Sequence, residues 1–184
     1  MPLSVRPVFL LLACIASLPA PAAAQTATPA VDAAPAVPLL TGVFVFDTVA
    51  SEKLDAVVDR GVKLVKSPLK RMFARGRIRE MNTPHAWVLI EPRGDSVRVA
   101  TDLWDVTVPP SGSVPSLKPD GGEAFQVSGA WEGQAFRQVW TATDGRRQNL
   151  FTVSPDGATL TMDVEIHSGQ LREPLRYRQV YQRR

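Results

Sequence analysis

Histidine, cysteine and paired carboxylates supply most protein chemistry, and this 184-residue chain is sparing with the first two. It has two histidines, His85 and His167, and a single cysteine, Cys14. Two distant histidines with no cysteine beside them do not form a zinc set, whose ligands fall in short spaced pairs. His85 follows Pro84 at the start of an expected strand and His167 lies at the end of another, so both read as surface or capping residues. The pairs Asp102/Asp105 and Asp163/Glu165 are of the right type for proton transfer. The same spacing is expected of a solvated strand face. No nucleophile elbow, H-E-x-x-H helix, phosphate loop or dinucleotide fingerprint occurs. Gly121-Gly122 lacks the flanking strand and helix that a phosphate cradle needs. The sequence therefore offers no catalytic residue, no metal ligand set and no cofactor site.

The aromatic residues say more. Phe44, Phe46, Trp87, Trp104, Phe125, Trp131, Phe136, Trp140, Phe151, Tyr177 and Tyr181 all fall on expected strands. Most of them are expected to fill a core. A barrel of eight or more strands is nevertheless wide enough to leave room for one small ligand. Strand alternation turns Tyr181, Gln179, Tyr177 and Trp140 toward such a lumen, and these four are the candidate ligand-binding residues.

The elements that must position them follow from periodicity. Thr41 to Asp47 is apolar on both faces, as a buried strand is. Ser51 is the expected N-cap of a helix whose first turn carries Glu52 and Asp55, where the helix dipole favours acids. Leu54, Val57, Val58, Gly61, Val62 and Val65 form one helical stripe. Pro68 breaks this helix and opens a second at its first turn. There Leu69, Met72 and Phe73 repeat the stripe until Gly76 weakens it, and Asn82-Thr83-Pro84 closes the insert. From Ala86 the pattern turns to strands joined by hairpin signals. These are Trp87–Glu91, Ser96–Thr101, Leu103–Val108 with a bulge near Leu103, Phe125–Trp131, Ala135–Ala142, Gln148–Val153, Thr159–Ile166 and Leu175–Gln182. Pro109 to Gly122 is a long Pro/Ser/Gly loop. The expected fold is mainly β: an antiparallel meander barrel of about 8–10 strands with a helical insert, residues 51–80, between strands 1 and 2.

Composition bounds the rest. With 45% hydrophobic and 21% charged residues the chain is globular, and its length suits one domain with a tail. Met1 to Arg6 is basic, Val8 to Leu18 apolar, and Ala22-Ala23-Ala24 a cleavage-type site. This is the pattern of a secretory signal peptide over residues 1–24. An uncleaved anchor is the alternative, and Leu11-Leu12-Ala13-Cys14 faintly resembles a lipoprotein box. Gln25 to Pro38 is an Ala/Pro-rich segment expected to be a disordered linker, and residues 39–184 are the barrel domain. Cys14 leaves with the signal, so no disulfide is expected. The bias toward Ala, Arg and Pro suggests a bacterial gene, and the expected location is the periplasm or the extracellular space.

The basic charge is concentrated. The 21 basic and 18 acidic residues give the chain a net charge of +3, but Arg60, Lys63, Lys66, Lys70, Arg71, Arg75, Arg77 and Arg79 follow one another with no acid between. One basic segment does not indicate nucleic-acid binding by the domain. It leaves two roles for the insert: a cap with its charges in water, or a surface that rests on anionic membrane through Lys63, Lys66, Lys70 and Arg71.

The order of strand, Ser51–Asp55 helix, second helix, strand, Gly94-Asp95 hairpin and meander resembles the calycin superfamily. It is most similar to the fatty-acid-binding branch, where two helices cap the barrel. Gly42-Val43-Phe44 stands in the place of that family's Gly-x-Trp opening. Arg178-Gln179-Val180-Tyr181 resembles its closing Arg-x-Tyr, with Gln179 where the carboxylate-binding arginine would be and Arg178 on the opposite face. Trp131 to Arg184 also resembles exported bacterial lipocalin-like proteins. The resemblance implies a barrel that binds a small apolar or amphipathic ligand. The first reading is thus an exported, monomeric, non-catalytic binding protein. The second is an interaction or structural protein with a packed barrel that docks on a partner or an anionic membrane.

Overall fold

The computed structural model describes residues 40–109, 116–117 and 125–184. The expected signal peptide, the linker and most of the Pro109–Gly122 loop lie outside the described residues.

The strands are β1 (Gly42–Phe46), β2 (Trp87–Arg93), β3 (Ser96–Thr101), β4 (Asp105–Val108), the two-residue β5 (Ser116–Leu117), β6 (Phe125–Glu132), β7 (Ala135–Ala142), β8 (Gly145–Val153), β9 (Thr159–Ser168) and β10 (Leu175–Arg183). They form one antiparallel sheet in the order β4-β3-β2-β1-β10-β9-β8-β7-β6-β5. Every neighbouring pair is sequential except β1 and β10, whose pairing of Phe46 with Tyr181 brings the two ends of the domain together. Among the described residues the sheet is interrupted once, between β4 and β5. Side chains bridge that seam: Val108 of β4 and Phe136 of β7 crowd Gly129 of β6, where a Cβ would lie 2.9 Å and 2.5 Å from them. The result is a nearly closed barrel, as the strand rhythm predicts.

The turns are chemically ordinary. Gly94, Gly133 and Gly157 have φ of 59°, 58° and 73°, a left-handed conformation that favours glycine. Inward positions alternate along each strand, as Leu160, Met162 and Val164 do on β9. Phe44, Phe136, Phe151, Leu160 and Tyr181 are all at most 1% exposed and fill the interior. The barrel is therefore packed with side chains through much of its length.

The insert contains helices α1 (Leu54–Leu64) and α2 (Pro68–Asn82). Ser67 caps α2 by accepting the Lys70 amide, with Pro68 in the first turn. Two expectations need correction. Ser51 is not an N-cap; α1 starts after Lys53, with no side-chain cap. Ser51 is instead buried against β10, where its Oγ accepts the Val180 amide at 2.8 Å and donates to the Val180 carbonyl at 3.2 Å. The chain leaving β1 runs along β10, with Asp47 N and Glu52 N donating to the carbonyls of Val180 and Arg178, so the hydroxyl is spent on a tertiary clamp. The second correction concerns the apolar stripe of α2. Leu69, Met72 and Phe73 are 70%, 75% and 76% exposed. The inward face is Arg71, Ala74, Ile78 and Asn82, because Ile78 is the side chain that fits against Gly61 of α1. The period was right and the face was the other one.

Strand boundaries shift slightly. β8 begins at Gly145 rather than Gln148, and β4 at Asp105 rather than Leu103. Asp102, Leu103 and Trp104 form a turn held by Thr101, whose amide donates to the Trp104 carbonyl at 2.8 Å and whose hydroxyl accepts from both Leu103 N and Trp104 N.

Candidate functional site

The helical insert is fastened to the barrel at both ends. At the α1–α2 junction, Lys66 N donates to Gln170 O and Arg172 N to Leu64 O, both at 2.9 Å, which ties the junction to the β9–β10 turn. At the end of α2, Tyr177 of β10 donates its hydroxyl to Asn82 Oδ1 at 2.8 Å, and Arg147 of β8 donates from Nη1 to the Met81 carbonyl at 2.9 Å.

Beside that second fastening lies a cavity of about 800 Å³. Its apolar lining includes Trp104, Phe125, Trp140, Met81, Leu103 and Ile166. Trp104 and Trp140 meet edge to face at 4.9 Å, and Phe125 meets Trp140 in the same way at 6.1 Å. These rings come from the β3–β4 turn, β7 and the start of β6, so they line the mouth on the side of the sheet interruption. Two smaller hollows, of about 460 and 490 Å³, lie among the β7–β8 and β9–β10 turns and on the outer face of β8 to β10. The second of these is lined by Glu52, Gln148, Asp163, Glu165, Arg176 and Arg178, a solvated face rather than an enclosure.

Basic groups outnumber acids at the mouth, with Arg77, Arg146 and Arg147 against Asp105 and Asp144. Arg147 is half-buried there, and its hydrogen bonds go to neutral acceptors, Asn149 Oδ1 and the Met81 carbonyl, each at 2.9 Å. Arg77 also lines the cavity, with no acidic partner among the described residues. Of the nearby acids, Asp105 is neutralised by a bidentate contact from Arg98, which holds its carboxyl below the usual carboxylate range. A guanidinium beside apolar walls and without a carboxylate suits an anionic ligand group. Below it a polar ladder runs into the barrel: Asn149 Nδ2 donates to Gln138 Oε1 at 3.2 Å, and both residues are buried. Gln138 Nε2 finds no partner among the described residues.

The four candidate ligand residues are divided by the structure. Trp140 lines the cavity. Tyr177, Gln179 and Tyr181 face inward on β10 but are engaged elsewhere. Tyr177 holds Asn82, and Tyr181 donates its hydroxyl to Gln179 Oε1 at 2.8 Å. Burial pushes both tyrosine hydroxyls up from their ordinary pKa, so they are neutral donors. Trp104 and Phe125, among the strand aromatics, and Arg147 complete the lining, and parity along β8 from inward Phe151 through Asn149 leads to Arg147.

The carboxylates weighed for proton transfer are all engaged. Asp163 receives Arg178 at 2.7 Å, and Glu165 receives Arg176 at 2.7 Å and His167 at 2.8 Å. Asp102 accepts from the Ala86 amide and faces His85. On the insert, Lys66 and Lys70 donate to Gly169 O and Gln170 Oε1, and Arg71 to Val65 O, all neutral acceptors. Lys63 has no acidic partner among the described residues. Arg60, Arg75 and Arg79 pair with Glu52, Asp59 and Asp55, so acids distant in sequence do interrupt the basic run in space.

No protein-family model matches the chain, and no curated protein matches it. Solved structures do. A fatty acid transporter, REP1-NXSQ, aligns at 16% identity with a TM-score of 0.51, covering 79% of this chain and 96% of that one. A secretary abundant heat soluble protein from Ramazzottius varieornatus aligns at 12% identity with a TM-score of 0.56, covering 79% and 96%. The wild-type fluorescent protein UnaG aligns at 12% identity with a TM-score of 0.52, covering 80% and 99%. At these identities the likeness shows the fold, a nearly closed antiparallel barrel.

Proposed function

We propose that this chain is a non-catalytic carrier of one small amphipathic ligand. The ligand's apolar body lies among Trp104, Trp140, Phe125 and Ile166, and its anionic end faces Arg147. The observation that carries this reading is the mouth cavity itself, about 800 Å³ of space with aromatic walls and a guanidinium that has no carboxylate partner. That volume falls within the range of small-molecule sites, about 300–1,000 Å³. The barrel it opens from is shared with the REP1-NXSQ fatty acid transporter. The packed interior below the mouth limits the ligand's reach, so a short or bent apolar body fits better than a long straight one. The signal-like first 24 residues support export to the periplasm or beyond.

Native mass spectrometry of delipidated protein with a series of fatty acids, their neutral alcohols and aromatic carboxylates tests the proposal. One bound ligand per monomer is expected, with acids preferred over alcohols. Trp140→Ala should weaken binding by roughly tenfold or more, as the loss of a large buried aromatic contact does. Absence of any mass shift across the series would reject carriage.

A second reading is favoured by one observation, the exposure of Leu69, Met72 and Phe73 on α2 beside the exposed Lys63, Lys66 and Lys70, Arg71 being turned inward onto the Val65 carbonyl. In this reading the insert also rests on anionic membrane, the apolar side chains dipping between headgroups. Each basic group near the surface contributes about 1 kcal/mol, screened within about 8–10 Å. Vesicle binding should then require anionic lipid, fall steeply with salt, and be lost when those three lysines become Gln. Binding indifferent to salt and to those substitutions would leave the insert a cap.

A further inference from the structure

The wall of the mouth is a chain of aromatic rings, and its first link is a histidine. His85, between α2 and β2, is 9% exposed. Its ring meets Trp104 edge to face at 5.6 Å and 90°, and Trp104 in turn meets Trp140. Two polar contacts fix the imidazole: Nδ1 lies 3.2 Å from Asp102 Oδ1, and Nε2 lies 3.3 Å from Trp104 Nε1. An indole N–H can only donate, so Nε2 must accept, and the ring proton belongs on Nδ1, facing Asp102. The hydrogen-bond chain therefore runs Trp104 to His85 to Asp102, and it is complete only while the imidazole is neutral.

We propose that His85 is a positioning residue for the mouth, holding the Trp104 indole in the cavity wall when neutral and releasing it when a second proton arrives on Nε2. Protonation sets N–H against N–H across a 3.3 Å contact. The imidazole keeps its Nδ1–H on Asp102, now as an ion pair, so the indole is the group that leaves. Its backbone does not follow, because Thr101 holds the turn through three hydrogen bonds that involve no titrating group. The movement is thus confined to the Trp104 side chain, and it separates the wall at the Trp104–Trp140 contact.

Three groups act on His85 from the elements around it. Asp102, in the β3–β4 turn, favours the charged ring. Arg147 on β8 opposes it, as does burial, the largest influence. The Tyr181 hydroxyl on β10 lies near the His85 backbone and is held neutral. The balance lowers the His85 pKa below its ordinary 6.5, so the latch is closed at neutral pH and opens under mild acid. That this opening loosens a bound ligand rests on the carrier function proposed above; the movement of Trp104 does not.

The test reads the two separately. The four tryptophans give four indole N–H resonances, and Trp104→Phe identifies the relevant one. Between about pH 7.5 and about pH 4.5 that resonance is expected to move as its acceptor is lost, in step with the His85 ring protons and centred below the ordinary histidine value. His85→Gln places a non-titrating amide oxygen where Nε2 stood, and should remove the transition. Anilinonaphthalene sulfonate, whose own charge is constant in this range, should bind the native protein roughly three- to tenfold more weakly in acid, the scale of one lost hydrogen bond. Its affinity for His85→Gln should be level. If His85→Gln does not fold, Trp104→Phe serves: it keeps an aromatic wall without the N–H, and the acid dependence of probe affinity should vanish. A Trp104 resonance that is flat in the native protein, or still moves in His85→Gln, overturns the proposal. A transition that follows His85 while no probe binds at any pH upholds the latch and rejects carriage.

Discussion

A buried histidine that prefers to be neutral makes folding sensitive to acid. Because the folded chain lowers the His85 pKa, the unfolded chain holds more protons just below pH 6.5. Stability therefore falls as pH drops through that value, and levels off once folded His85 is itself protonated. Asp47, Glu91, Asp105, Asp156 and Glu165 act in the same sense, with carboxyls held below their ordinary values by hydrogen bonds and arginines, so they too lose stability as pH falls. Their contribution is present above the usual carboxylate range and fades only below it, in a second, more acidic window. Urea midpoints across pH should show both windows, and His85→Gln should erase the first while sparing the second. A native profile flat until the carboxylates titrate would contradict this assignment. At this scale the sequence was half legible. Alternation turned Tyr177, Gln179 and Tyr181 inward, but nothing in spacing reveals that each would meet a partner before it met a ligand. Arg147 was hidden because adjacent Arg146 is chemically identical, and only the parity of the strand separates the inward from the outward one.

Helix α2 shows why a correct period can still mislead. Its sequence has two apolar edges, Leu69/Met72/Phe73 and Ala74/Ile78, and the larger edge was the natural choice for the buried face. Gly61 decides otherwise. With no side chain there, α1 lets Ile78 approach so closely that a Cβ would sit 3.1 Å from Ile78 Cγ2 and 3.2 Å from Leu175 Cδ2. The smaller edge wins because it fits the notch. Gly61→Leu should push α2 off α1 at a cost of about 1–3 kcal/mol, the usual penalty of overpacking. Hydrogen exchange should then rise in residues 68–82 while β8 to β10 stay protected. Unchanged exchange in α2 would mean that the two helices do not depend on this contact. Pro68, by contrast, was legible as the start of α2, since a proline in the first turn loses no helical hydrogen bond.

For the molecule as a whole, the sheet interruption between β4 and β5 makes the β4–β6 seam the place where, among the described residues, closure rests on side-chain contact. Gly129 is the tightest point of that seam, with Phe136 and Val108 occupying the space where a side chain would begin. Gly129→Val should force the two strands apart, lower stability by about 1–3 kcal/mol and increase probe binding at the mouth. Equal stability in both proteins would show that the seam tolerates a gap. The strand count and the hairpins were readable because each turn is local. The seam was not, because it joins residues whose nearness only the curvature of the whole sheet creates.

The pairing of β1 with β10 has a consequence for how the chain reaches this state. Strands β6 to β10 are joined by short connections and can assemble hairpin by hairpin, each step closing a small loop. The contact of Phe46 with Tyr181 must instead close a loop of 135 residues, as must the hydrogen bond of Gln182 to Asp47. Loop entropy makes such a contact unrewarding until the rest of the sheet is in place. The β1–β10 ladder is therefore the last to form, since β1 reaches β2 across a far shorter loop, and until it forms the outer edges of β1 and β10 lie open to any other unpaired strand. Ser51 and Glu52, which grip the β10 backbone just after β1, form their contacts only with that closure.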